Sequence, residues 1–147
     1  MFTLTKPKLS VEKTVVGFKR SELINIEAAT LKEAFFALGK KNSLEIKKSL
    51  RKELKSFNPR QKKQVFGELK KNLAKLNKLA KGKELEIKGV NRLSRFLEAF
   101  YATCEGAGIS YPEGALLQSE SESGCQTIIV QDKKDGTIRL IHTEEDS

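Results

Sequence analysis

The chain reads as mainly α: a small bundle of about four helices over residues 30–105 with a C-terminal β-hairpin over 125–142, becoming α+β if an N-terminal strand joins that hairpin. Three observations predict this. Apolar residues between Ile46 and Cys104 recur at helical spacing. Those runs are bounded by caps and breakers, namely Thr30, Asn58 with Pro59, Gly82 and the Gly106 to Gly108 segment. Near the end, two β-branched runs, Cys125 to Gln131 and Thr137 to His142, bracket a turn-forming stretch that ends on Asp135 and Gly136. At 147 residues, one domain over 1–147 buries enough surface to fold without disulfides or metals.

The elements follow in order. Residues 1–20 form a partly flexible N-terminal segment that mixes Lys6, Pro7 and Lys8 with isolated apolar residues and lacks the apolar run of a secretory signal. Two short apolar runs, Thr14 to Phe18 and Leu23 to Ile26, flank Lys19 to Glu22 and suggest a small hairpin. A helix starting as early as Ser21 competes with it, because Ile24, Ala28, Leu31, Phe35 and Leu38 are spaced 4, 3, 4 and 3. The firmer helix start is Thr30, with Glu33 completing a capping box.

The second helix is capped by Asn42 or Ser43 and carries Ile46, Leu50, Leu54 and Phe57, near which it ends. Asn58 followed by Pro59 is the sharpest boundary, a cap before a proline at the first helical position. The third helix runs to about Lys81 on a stripe of Phe66, Leu69, Leu73, Leu76 and Ala80, and Gly82 stops it. Lys83 to Lys88 alternates and fits either a short strand or the start of the fourth helix. From about Asn91 that helix continues through Leu93, Leu97, Phe100 and Cys104 until Gly106, Ala107 and Gly108 break it. Residues 109–124, with Pro112, Gly114 and a polar run from Ser119, read as an exposed loop, and 143–147 as a loose acidic tail.

Charge is laid out unevenly. Of the net +9, residues 40–95 carry 19 Lys or Arg against 5 Glu, whereas residues 96–147 carry 3 against 10 acidic groups. On a helical wheel the third helix sets Arg60, Lys63, Lys70, Lys71, Lys75, Lys78 and Lys81 largely opposite its apolar stripe. The second helix does the same with Lys48, Arg51, Lys52 and Lys55. If the two helices pack antiparallel through their apolar stripes, two basic ridges face water together. Such ridges suit an anionic partner, either nucleic-acid backbone or an acidic protein surface, since each phosphate neutralised releases counterions. A solvated face that binds nothing produces the same pattern. Lysines outnumber arginines 22 to 6, which argues against base-edge readout, and Phe57 and Phe66 sit on core stripes rather than as stacking platforms.

Other chemistry is thinly supported. Nucleophilic catalysis has only Cys104, Cys125 and His142 to draw on. A four-residue hairpin loop pairs His142 with Thr127 on the face of Cys125; a three-residue loop pairs it with Ile128, facing away, and suits Gly136 better. Two cysteines fit a reducing compartment, although one bridge between them stays open. No ligand spacing for zinc and no phosphate loop is present, and Gly106-x-Gly108 follows a helix, where it serves as a terminator, so no cofactor is implied. Charges interrupt every helical segment, so no membrane span is expected and the composition points to a cytoplasmic protein. The oligomeric state is not legible.

The Lys, Ile and Phe usage and the glutamate-bearing end, Thr143 to Ser147, resemble effector proteins that intracellular bacteria deliver through type IV secretion. The resemblance covers five residues. It implies non-classical delivery into a host cell and no particular activity. The expectation is therefore a non-enzymatic interaction protein binding nucleic-acid backbone. Its alternatives are an adaptor or inhibitor acting through the C-terminal hairpin and, more remotely, a cysteine-dependent enzyme using Cys125 and His142.

Overall fold

The computed structural model describes residues 7–16, 19–81, 88–120, 126–131 and 137–146. Among these the order is β1 (Lys8–Val16), β2 (Lys19–Ala28), α1 (Leu31–Lys41), α2 (Ser43–Leu54), α3 (Pro59–Lys81), α4 (Lys88–Ala107), α5 (Tyr111–Glu120), β3 (Gln126–Gln131) and β4 (Ile138–Asp146). The fold is mainly α with a small sheet. The four strands form one antiparallel sheet in the order β1-β2-β4-β3, so the N-terminal hairpin is zipped to the C-terminal one through its second strand.

The N-terminal hairpin forms, but its last pair is Val16 with Lys19, so Lys19 to Glu22 lie in β2 rather than in the turn. The helix that competed for Ser21 to Ala28 is a strand. Ile24, Ile26 and Ala28 alternate and are each fully buried, a period of two that shares positions 24 and 28 with a helical reading. Only the partner strands distinguish the two. The apolar side of the sheet packs on α1 through Ala34 and Leu38, joined by Leu140, with Val11, Phe35 and Ile138 at its margin.

Thr30 caps α1 as expected, its hydroxyl accepting from the Glu33 amide at 3.1 Å. Asn42 is the single residue between α1 and α2. Ser43 is not a cap: it is the first residue of α2, and its hydroxyl donates at 2.7 Å to the Ala107 carbonyl at the end of α4. Asn58 and Gln61 form a reciprocal capping box at the start of α3, at 2.8 and 3.1 Å, with Pro59 at the first helical position. Lys83 to Ile87 lie outside the described residues, and α4 begins at Lys88.

α4 is the axis of the fold. It crosses α1 so closely that a Cβ on Gly39 would overlap the Thr103 carbonyl, and one on Gly106 would overlap the Phe36 carbonyl. The two helices therefore meet backbone to backbone at reciprocal glycines. This corrects the reading of Gly106, which is a packing residue inside α4. Gly108 alone ends the helix: at φ +76° it receives the Schellman pattern, with Ile109 N–H donating to Cys104 O at 3.1 Å and its own N–H to Glu105 O at 3.3 Å.

Two expected irregular segments are ordered. Residues 111–120, read as loop, form α5. Ser110 and Glu113 make a capping box, at 2.8 and 3.3 Å, and Pro112 falls in the first turn, where no donor is needed. Leu116 is buried, and Gly114 fits against α4 because a Cβ there would meet the Cys104 sulfur. The acidic tail is likewise not loose, since β4 reaches Asp146 with Glu144, Glu145 and Asp146 paired to Glu22, Ser21 and Arg20 of β2. Both sets of backbone groups find ladder partners there, which a tail reading overlooks.

Candidate nucleic-acid interface

α3 is 23 residues long, about 34 Å at 1.5 Å per residue, and contains eight cations against one acid, Glu68. Not one of its residues is fully buried. Phe66, Leu69, Leu73, Leu76 and Ala80 are half-buried, so the apolar stripe is where the wheel puts it but is covered from one side only. Two hydrogen bonds tie it to α4: Tyr101 Oη donates to Asn77 Oδ1 at 2.7 Å, and Ser94 Oγ to the Ala80 carbonyl at 3.5 Å.

All seven expected cations of α3, Arg60, Lys63, Lys70, Lys71, Lys75, Lys78 and Lys81, are exposed. So are Lys48, Arg51 and Lys52 on α2 and Lys55 at its C-cap. Among the described residues the ion pairs are Lys41 with Glu22 at 2.8 Å and Arg139 with Glu27 at 3.0 Å, and neither uses any of these eleven. Arg51 alone touches a neighbour, donating from Nε to the Lys47 carbonyl at 3.4 Å. The face is thus cationic and uncompensated at short range. Lys47 and Lys62 are exposed as well and were missed, Lys62 because the wheel places it toward the apolar side although it precedes the part of α3 that is covered.

One expectation fails. α2 and α3 are not packed on each other through their apolar stripes; each packs on α4 and α5. Leu50 of α2 is buried. The two basic faces are therefore presented by helices sharing a common base, not by an antiparallel pair. Phe57 and Phe66 are half-buried, in keeping with packing rather than base stacking.

The thiol chemistry resolves in part. Cys104 is free and 3 % exposed, so the bridge left open by the sequence does not form. Burial first, then the charges of Glu105 and Glu113, push its thiol up to about 11, which keeps it protonated and unreactive at neutral pH. Tyr111 is raised to about 12, chiefly by donating its hydroxyl to Glu105 Oε1 at 2.6 Å. Cys125 lies outside the described residues, and of His142 only the backbone position is described. The hairpin register pairs His142 with Thr127, and not with Ile128 as Gly136 favoured. Residues directly opposite share a face, so this register sets Gln131, Ile129 and Thr127 across from Ile138, Leu140 and His142.

Among the described residues no helix is long and apolar enough to cross a membrane. No protein-family model matches the chain, and comparisons with curated proteins and with solved structures also find no match.

Proposed function

We propose that this is a non-enzymatic interaction protein whose lysine-rich helical surface binds nucleic-acid backbone without sequence specificity. The observation that carries the reading is the basic face of α3, a span of about 34 Å on which seven exposed cations have no ion-pair partner among the described residues. Free lysine ammonium groups along a helix suit a regularly spaced polyanion, and their affinity arises from counterion release rather than from base contacts. An uncompensated cationic surface also repels itself, so a polyanion that neutralises it stabilises the folded chain. The reading suits a cytoplasmic protein or one delivered into a host cell.

The test is fluorescence anisotropy with a labelled duplex at increasing salt. Affinity is expected to fall linearly on a log–log plot, with a slope of about −0.9 for each phosphate contacted. Replacing Lys70, Lys71, Lys75 and Lys78 together by Glu is expected to weaken binding at least about 100-fold while leaving the circular dichroism spectrum unchanged, because all four side chains are exposed. A folded quadruple variant that binds as tightly as the parent rejects the proposal.

A second reading, a protein-binding adaptor, draws support from β3, which among the described residues occupies one edge of the sheet, the position at which a partner strand adds. A partner captured by the parent chain and lost on inserting Pro at Ile129, with duplex binding retained, would favour it.

A further inference from the structure

A cleft of about 870 Å³ opens between α1, α4, α5 and the first residue of β4, within the size range of small-molecule sites and remote in chemistry from the lysine faces. Its walls are apolar: Phe35 from α1, Phe96 and Phe100 from α4, Leu117 from α5 and Ile138 from β4. Phe96 stacks on Phe100 with centroids 6.4 Å apart yet remains 50 % exposed, an unusual surplus for an aromatic residue beside a core. Thr103, Cys104 and Gln118 line the cleft with neutral polar groups. Thr103 donates its hydroxyl at 2.7 Å to the Ala99 carbonyl of its own helix, and Cys104 contributes a protonated thiol.

Among the described residues, charge reaches the cleft lining from Arg95 and Glu98, three residues apart on α4. Arg95 is exposed and has no hydrogen bond or ion pair among the described residues. We propose that the cleft binds a monocarboxylate with a long apolar body, the body seated among Phe35, Phe96, Phe100 and Leu117 and the carboxylate paired with Arg95. A guanidinium matches a planar carboxylate with two parallel hydrogen bonds. A singly charged head suits one arginine, while a dianionic phosphate would turn uncompensated charge toward Glu98.

Isothermal titration of the full chain with sodium laurate, below its micellar concentration, tests this against 1-dodecanol, which has the same body and no charge. Laurate is expected to bind the parent. Arg95→Gln is expected to weaken laurate by about tenfold or more, the usual worth of a charge-assisted hydrogen bond, and to leave dodecanol unchanged. Ala99→Trp, which projects an indole into the cleft, is expected to weaken both, and the quadruple Lys→Glu variant of α3 is expected to retain laurate. No binding of laurate by the parent overturns the proposal. So does equal laurate binding by R95Q, undiminished laurate binding by a folded A99W, or loss of laurate in the α3 variant, which would assign it to the lysine face. Should A99W fail to fold, the R95Q comparison still decides.

Discussion

The crossing of α1 with α4 and the length of α3 are built on opposite principles. In the first, two helices approach until glycine is the only residue that fits at Gly39 and Gly106, and the sheet beyond α1 buries Ile24, Ile26 and Leu140 completely. In the second, 23 residues lie along the surface without one fully buried side chain, held by a half-covered stripe and by Tyr101 on Asn77. Close packing leaves no room for volume change, whereas a helix covered on one side keeps its other face for solvent or a partner. Stability and surface chemistry are thus assigned to different helices. Substitutions that wreck the fold and substitutions that remove the proposed binding therefore occupy separate positions.

That division is open to challenge in descending order of effect. Gly106→Val is expected to be the most damaging, about 4 kcal/mol or more, because its side chain must displace the α1 backbone at Phe36 and not merely a flexible side chain. Urea unfolding measures it, and a loss below about 1 kcal/mol would mean the helices separate easily and the crossing is not the rigid centre. Next comes a matched pair of truncations. Ile26→Ala, at a fully buried position, is expected to lose about 3 to 4 kcal/mol, and Leu73→Ala, half-buried on α3, about 1 kcal/mol. Equal losses in the two would show that α3 is as tightly held as the sheet.

Deleting residues 143–147 tests the sheet side of the contrast. Because Thr143 to Asp146 pair with β2, removal is expected to destabilise the protein by about 2 kcal/mol, read as a lower thermal midpoint; a loose tail would leave it unchanged. The smallest expected effect has the opposite sign. Gly67 lies inside α3, exposed, and a Cβ there would meet nothing within 4 Å, so Gly67→Ala is expected to stabilise by somewhat under about 1 kcal/mol. A destabilised G67A would reveal a covering on the basic face that the packing of α3 gives no reason to expect.

By itself the sequence determined whatever is written in neighbouring residues. Thr30 with Glu33 and Asn58 with Pro59 and Gln61 start their helices with hydrogen bonds closed within three residues, so both boundaries are legible without any fold. The same signal stood at Ser110 and Glu113, where Pro112 and Gly114 masked it by their association with loops. The basic character of α2 and α3 and the exposure of the eleven cations that the wheel sets opposite the apolar stripes also follow from local periodicity, since lysine ammonium groups stay in water wherever the helix is placed. Only the tertiary structure decided what depends on distant partners. Ser21 to Ala28 is a strand because β1 and β4 flank it, the acidic end is ordered because β2 offers a ladder, and Gly106 packs while Gly108 terminates because α1 lies against one and not the other. It likewise separated α2 from α3, placing each on α4 and α5. A helical wheel states which stripe must be covered; it carries no information on which element covers it, because that choice is made by contacts between residues far apart in the chain.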